Sequence, residues 1–85
     1  MPELSRFLGI IIFMNFNDHA PPHFHAKYGE YQIKVEIDSG LIEGKFPPRG
    51  LRLVLEWQGL HKQELLDNWN SIMNTGEFHK IAPLE

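Results

Sequence analysis

The sequence HFHAKYGEYQIKVEID, residues 23–38, decides the fold because it reads as two short strands joined by a tight turn. Gly29-Glu30 suits a two-residue hairpin loop with glycine at its first position. Residues 31–38 alternate apolar and polar side chains, which is typical of a strand with one buried face. The stretch therefore predicts an antiparallel hairpin with one face on the core.

Only one register of this hairpin buries the apolar side chains of both strands. Its outer-face pairs are then His23 with Glu36, His25 with Lys34, and Lys27 with Gln32. Ser39-Gly40 leads to a further short strand over Leu41 to Phe46. The same tight register would place like charges opposite each other there, so we predict a longer loop or a bulge.

Before the hairpin, Phe7 to Phe16 reads as one strand with two apolar faces. Such a strand is central in a sheet or paired with another subunit. After the sheet, Pro47-Pro48 predicts the start of a helix. Two apolar stripes on opposite sides favour a break near Gly59 to His61, and so two helices. Asn74-Thr75-Gly76 ends the second, before an extended tail.

These elements predict a single α+β domain over residues 1–85. It consists of an antiparallel sheet of three to four strands followed by two C-terminal helices packed on one face. A chain of this size buries a thin core, roughly 60–65% of its unfolded surface.

Composition narrows the classes of function. The chain has no cysteine, which excludes disulfides and thiolate metal sites. Its net charge of −3 argues against a sequence-independent nucleic-acid binder, which is usually basic. The longest apolar run, Phe7 to Met14, is too short to cross a bilayer. It also lacks the basic leader of a signal peptide, so we expect a cytoplasmic protein with no membrane partner.

Histidines concentrate the chemistry in one segment, where three of the five lie within seven positions. His23 and His25 are two apart on a strand, so they project from one face roughly 7 Å apart. His19 and Asp18, on the preceding loop, could join them. This set is a candidate site for zinc or another divalent metal.

A phosphate site is the second interpretation of the same face. The candidate ligand-binding residues are Lys27, Lys34, Lys45, Arg49 and Arg52. His19, His23 and His25 are the candidate catalytic residues, since histidine beside lysine can serve phosphodiester cleavage. RNA is a candidate ligand. The alternative is that the histidines only hydrogen-bond loop backbone, and whether the protein is an enzyme stays open.

A protein-binding module is the remaining class. It would use the first strand, Trp57 and the histidine loop, either on a partner or on a second copy in a homo-oligomer. An apolar strand face that one small chain cannot cover favours such an interface.

The chain resembles a small bacterial family known as domain of unknown function 4160. The shared segments are Ser5-Arg6-Phe7, residues 18–31 with the His-x-Pro-Pro-His-Phe-His signature, residues 43–47, and Leu51 to Trp57 through Leu65 to Trp69. The resemblance implies a compact prokaryotic protein from a two-gene module of toxin–antitoxin or regulatory type. Its partner would be a small protein encoded nearby. The resemblance implies no substrate, cofactor or catalytic residue.

Overall fold

A five-stranded antiparallel sheet carries two helices on one face. The structure is a computed structural model that describes residues 2–85. The elements are β1 (Glu3–Phe7), β2 (Ile10–Phe13), β3 (His23–Tyr28), β4 (Tyr31–Glu36), β5 (Ile42–Lys45), α1 (Pro48–Leu60) and α2 (Lys62–Thr75). The strands lie side by side in chain order. The α+β prediction is confirmed, but the sheet has five strands rather than three to four.

The additional strand comes from the first apolar segment. The prediction of one strand over Phe7 to Phe16 is wrong, because this segment contains the end of β1 and all of β2. The chain turns back at Leu8 and Gly9, whose φ angles are 51° and 81°. Two positive φ angles in succession are those of a type I′ hairpin turn. Phe7 then pairs with Ile10. The segment is rich in apolar residues because two adjacent strands both contribute to the core.

The β3–β4 hairpin has the predicted register at all six positions, from His23 opposite Glu36 to Tyr28 opposite Tyr31. The shift predicted before β5 is also present. It sets Lys34 opposite Glu43, and their side chains form an ion pair of 3.2 Å. The expected clash of like charges is therefore replaced by an attraction.

The helices are separate, as predicted, and His61 lies between them. Gly76 ends α2 in the left-handed conformation, with φ 78°. Trp57 of α1 is fully buried, and its ring centroid lies 5.7 Å from that of Phe7 and 5.8 Å from that of Phe24. Trp57 is therefore a packing residue of the helix, which is the simplest interpretation of its sequence position, and the alternative that it forms a partner surface is wrong.

The segment after α2 is extended and attached to the core. Ile81 is buried and donates its N–H to the carbonyl of Leu4 over 2.8 Å. The buried amide of Asn68 bonds both the N–H and the carbonyl of His79, over 2.9 and 3.0 Å. These contacts place the tail beside β1.

Candidate metal centre

Strand β3 places His23 and His25 on the outer face of the sheet, opposite to Phe24 and Ala26, and α2 reaches the His23 end of the strand through Trp69. The loop between β2 and β3 brings Asp18 over them. The end of that loop is fixed, because the carbonyl of Pro22 accepts a hydrogen bond of 3.0 Å from the N–H of Ile37. A strand and a tethered loop therefore converge on one point.

Asp18, His23 and His25 form the group that we call the histidine–aspartate cluster. One carboxylate oxygen, Asp18 Oδ2, lies 2.8 Å from His23 Nε2 and 3.2 Å from His25 Nε2. One ligand atom from each residue lies within 4.8 Å of the other two. Within residues 2–85, this is the one group of three His, Asp or Glu side chains close enough to hold a metal ion.

The second ring nitrogen of His23 defines its hydrogen-bonding state. His23 Nδ1 lies 2.8 Å from the carbonyl oxygen of Pro21, which can only accept, so Nδ1 carries a proton and donates it. In a neutral imidazole, Nε2 then presents a lone pair. That lone pair would face the carboxylate of Asp18, which is also an acceptor. A proton or a metal cation must therefore lie between His23 Nε2 and Asp18.

His25 shows a similar conflict. Its Nε2 lies 3.2 Å from the acceptor Asp18 Oδ2 and 3.3 Å from the amide Nδ2 of Asn15, which is a donor. One ring nitrogen cannot donate to the first and accept from the second at once. Rotating the Asn15 amide would turn its oxygen, an acceptor, toward the same point. With the amide rotated, either a proton on His25 Nε2 or a cation at that point satisfies all these groups.

Aromatic rings enclose one side of the cluster. Phe13 stacks on His25 with centroids 5.1 Å apart, and Trp69 of α2 lies 5.0 Å from His23. The side chain of His23 is only 3% exposed, whereas those of His25 and Asp18 are 13% and 23% exposed. The cluster is therefore dry on the His23 side and reachable from water on the Asp18 side.

Asp18 is held in its charged form. Burial alone would raise the pKa of its carboxyl, but the hydrogen bond with His25, the N–H of His19 and the charge of His23 together lower that pKa below its usual value. A deprotonated carboxylate beside two imidazoles is the state that binds a divalent cation.

The structure leaves His19 outside the cluster. Its side chain is exposed, and only its backbone N–H reaches Asp18, at 3.1 Å from Oδ1. Asn15, Phe13 and Trp69 contact the cluster, and sequence reasoning missed these roles. Phe13 could have been found from strand parity once the β2–β3 register was known, but no sequence pattern pointed to Asn15 or Trp69.

The residues predicted to bind phosphate are divided between two faces. Lys27, Lys34 and Lys45 lie on the outer face with the histidines, and Lys34 is paired with Glu43. Arg49 and Arg52 are exposed on α1, which packs on the opposite face. The structure therefore gathers the lysines with the cluster and separates the arginines from it.

Comparison with known proteins gives a family and nothing finer. The family model described as Domain of unknown function (DUF4160) matches residues 9–70, and the chain belongs to this family. Nothing matches the chain among curated proteins or among solved structures. Residues 9–70 include the His-x-Pro-Pro-His-Phe-His segment, whose status as the family signature stays a prediction.

Neither helix in residues 2–85 is long and apolar enough to cross a membrane.

Proposed function

We propose that this domain binds a divalent metal ion, zinc in the first instance, through Asp18, His23 and His25. The observation that carries the proposal is the acceptor-only oxygen of Asp18 facing Nε2 of His23 and Nε2 of His25, while the N–H of His23 is committed to Pro21 through Nδ1. A metal-binding histidine commonly donates its other ring N–H to a backbone carbonyl, which fixes the tautomer and the orientation of the ring.

The distances suit zinc. Two ligand atoms each about 2.05 Å from a tetrahedral zinc lie roughly 3.3 Å apart. The contact of 3.2 Å between His25 Nε2 and Asp18 Oδ2 meets that value. The contact of 2.8 Å to His23 is shorter, and a rotation of the Asp18 carboxylate would open it. Little rearrangement is needed to admit the ion.

The competing interpretation is a protonated His23 paired with Asp18. An ion pair that is this buried loses much of its Coulombic gain to desolvation. A metal ion satisfies both histidines with one charge.

Three protein ligands leave a coordination position for water or a ligand. The exposed edge of Asp18 would make that position accessible. Zinc bound in this way would act as a Lewis acid and lower the pKa of a bound water. The enclosure by Phe13 and Trp69 would keep the His23 side dry.

Calorimetric titration of zinc into the full chain tests the proposal. We expect one site, with affinity reduced about 100-fold or more in His23→Gln and His25→Gln, since even outer partners account for 10–100-fold. His19→Gln and His61→Gln are matched controls that should leave affinity within about threefold of wild type, well inside the 1.4 kcal/mol of a tenfold change. Absence of binding at millimolar zinc, or an equal loss in a control, would contradict this ligand set.

A phosphate-bearing ligand such as RNA is the second candidate function. One row across the outer face, taking one residue from each strand, is Arg6, Ile11, Lys27, Gln32 and Lys45. Its three cations lie on alternate strands, roughly 9–10 Å apart, and Arg6 among them is paired with Glu3 over 2.7 Å. Lys27 of this row lies two residues from His25 on β3 and on the same face, so a bound anion could contact both the cations and the metal.

Fluorescence anisotropy with a labelled single-stranded RNA of defined length tests this candidate. We expect weak, salt-sensitive RNA binding that is abolished in Lys27→Glu and in Lys45→Glu. Added zinc should strengthen the binding. Lys62→Glu, on α2, is the matched charge control. Salt-independent binding, or equal loss in the control, would exclude the row as the binding surface.

We further propose that the protein works in the bacterial cytoplasm with a small protein encoded nearby, in a two-gene regulatory or toxin–antitoxin-like module, or as a homo-oligomer. Support comes from the family's implied setting alone. Co-expression with the neighbouring gene, followed by size-exclusion chromatography, tests this: a stable heteromeric complex supports the module, and a larger species of this chain alone supports the homo-oligomer.

A further inference from the structure

A second feature lies on the helix side of the sheet, away from the histidine–aspartate cluster. A cleft of about 320 Å³ opens where the first turns of α1 leave the end of the sheet uncovered. Leu8, Ile10 and Tyr28 form its sheet wall, and Arg49 and Leu53 form its helix wall. The lining is aliphatic and aromatic apart from the arginine. The metal proposal gives this cleft no role.

Leu8 is costly in two ways at this position. It occupies the first residue of the β1–β2 turn with φ 51°, a conformation uncommon for a bulky residue and favoured by glycine or asparagine. Its side chain is also 66% exposed. Asparagine would adopt this backbone conformation with less strain, and its side chain would be better solvated. A strained residue that contributes little burial points to a role in binding.

Arg49 also breaks a local rule. It lies in the first turn of α1, where the helix dipole disfavours a cation. It is exposed, and no carboxylate within residues 2–85 lies within 4 Å of its guanidinium. An unpaired arginine in the wall of an apolar cleft is complementary to an apolar group that bears a carboxylate.

We propose that this cleft docks a segment of a partner protein that carries an apolar side chain next to an aspartate or glutamate. The apolar side chain would fill the space between Leu8, Tyr28 and Leu53, and the carboxylate would pair with Arg49. A volume of about 320 Å³ is at the lower end of small-molecule sites, so it suits one or two side chains. The cleft has one aromatic ring in its lining, that of Tyr28, so it offers little surface on which successive bases could stack, and RNA fits it less well.

Selection of random peptides displayed on phage against the immobilised full chain tests the occupant. We expect enriched peptides to contain an apolar residue adjacent to an acidic one, and to bind at least about tenfold more weakly to Leu8→Asn. Against Arg49→Glu, we expect selection to favour lysine or arginine at the acidic position. Enrichment without charge preference, or peptides unaffected by both variants, would overturn the proposal.

Two controls separate this site from other surfaces. Leu60→Asn removes an equally exposed leucine, 65% accessible, at the far end of α1. Lys62→Glu reverses a charge at the start of α2, outside the lining of the cleft. Both should leave peptide affinity within about twofold, far from the tenfold that 1.4 kcal/mol represents. Equal losses in these controls would show non-specific adhesion and would refute the assignment of the cleft.

The melting temperature distinguishes a binding role of Leu8 from a structural role, because the two roles predict shifts of opposite sign. Relief of a left-handed leucine predicts that Leu8→Asn raises the melting temperature by about 4–8 °C while it weakens peptide binding. A leucine that stabilises the fold would lower the melting temperature instead. Sedimentation of the wild type is the last check, because a dimer abolished by Leu8→Asn would make the occupant a second copy and overturn the partner proposal.

Discussion

Replacing Asp18 by asparagine should separate metal binding from folding. In the metal-free protein with a neutral His23, Nδ1–H is donated to Pro21, and the Nε2 lone pair needs a donor. The carboxylate at 2.8 Å cannot supply one, but the amide of an asparagine can. Asp18→Asn therefore replaces a conflict at a 3% exposed ring with a hydrogen bond between neutral groups.

The magnitude follows from the value of one such bond. A neutral hydrogen bond contributes about 0.5–1.5 kcal/mol, and we expect Asp18→Asn to stabilise the metal-free fold by about that amount. At about 2.1 cal/mol/K per residue, unfolding of the 85-residue chain carries roughly 180 cal/mol/K, so the melting temperature should rise by about 3–8 °C. Zinc affinity should fall by about 100-fold or more at the same time.

Differential scanning calorimetry in the presence of a chelator measures the first effect, and zinc titration measures the second. Glu64→Gln is the matched control, because Glu64 Oε1 contacts His61 Nδ1 at 2.7 Å in a more exposed pair. It should change stability by less than about 1 kcal/mol. A loss of about 3–5 kcal/mol in Asp18→Asn would identify a buried ion pair as the purpose of the cluster and refute the reasoning.

Further predictions concern the coupling of zinc binding to stability, substitutions at two glycines, and the contacts of the C-terminal tail. Zinc at 100 times its dissociation constant should stabilise the fold by about 2.7 kcal/mol, raising the melting temperature by roughly 15 °C, and chelation should reverse the shift; a shift under about 5 °C would contradict a site built by the fold. Gly44→Ala should cost about 3 kcal/mol in chemical denaturation, because φ is 110° and a Cβ would lie 2.6 Å from the carbonyl oxygen of Gln32. Gly59→Ala, with open space around it in α1, should instead stabilise by about 0.5–1 kcal/mol. Asn68→Ala should cost about 2 kcal/mol and speed hydrogen exchange at the amide of Ile81, because the tail loses both bonds at His79; unchanged exchange would show that other contacts hold the tail.

The local sequence pattern predicted an element correctly wherever two independent signals agreed. In the β3–β4 hairpin, strict alternation and a two-residue glycine turn specify the same register, and that register is observed. In β5, the opposition of like charges pointed to a shift before the pairing partners were known. The break at His61 followed from two apolar stripes that one straight helix could not both bury.

The first hairpin shows what local pattern cannot resolve. Leu8-Gly9 interrupts no apolar run, because leucine continues it and glycine occurs in strands as well as turns. The signal for a turn is normally a polar residue with positive φ. Here leucine occupies that position, so the sequence is locally inconsistent. Such inconsistencies are expected at functional or strained positions.

The site was predictable in part. Strand parity placed His23 and His25 on one face, but the loop between β2 and β3 has no repeating pattern. Its path decides that Asp18 reaches both histidines while the side chain of His19 stays exposed. Periodicity carries no information on such a path, and neither Asn15 nor Trp69 could be assigned without it.

The two proposed sites should act independently. His23 and Tyr28 lie at opposite ends of β3, five residues and roughly 16 Å apart. Their side chains also point to opposite faces of the sheet, since strand residues alternate. Sites separated by more than about 10 Å without shared partners usually contribute additively. The metal centre and the cleft therefore have separate chemistry on one rigid hairpin, and a loss at one site that leaves the other intact is the behaviour that this geometry requires.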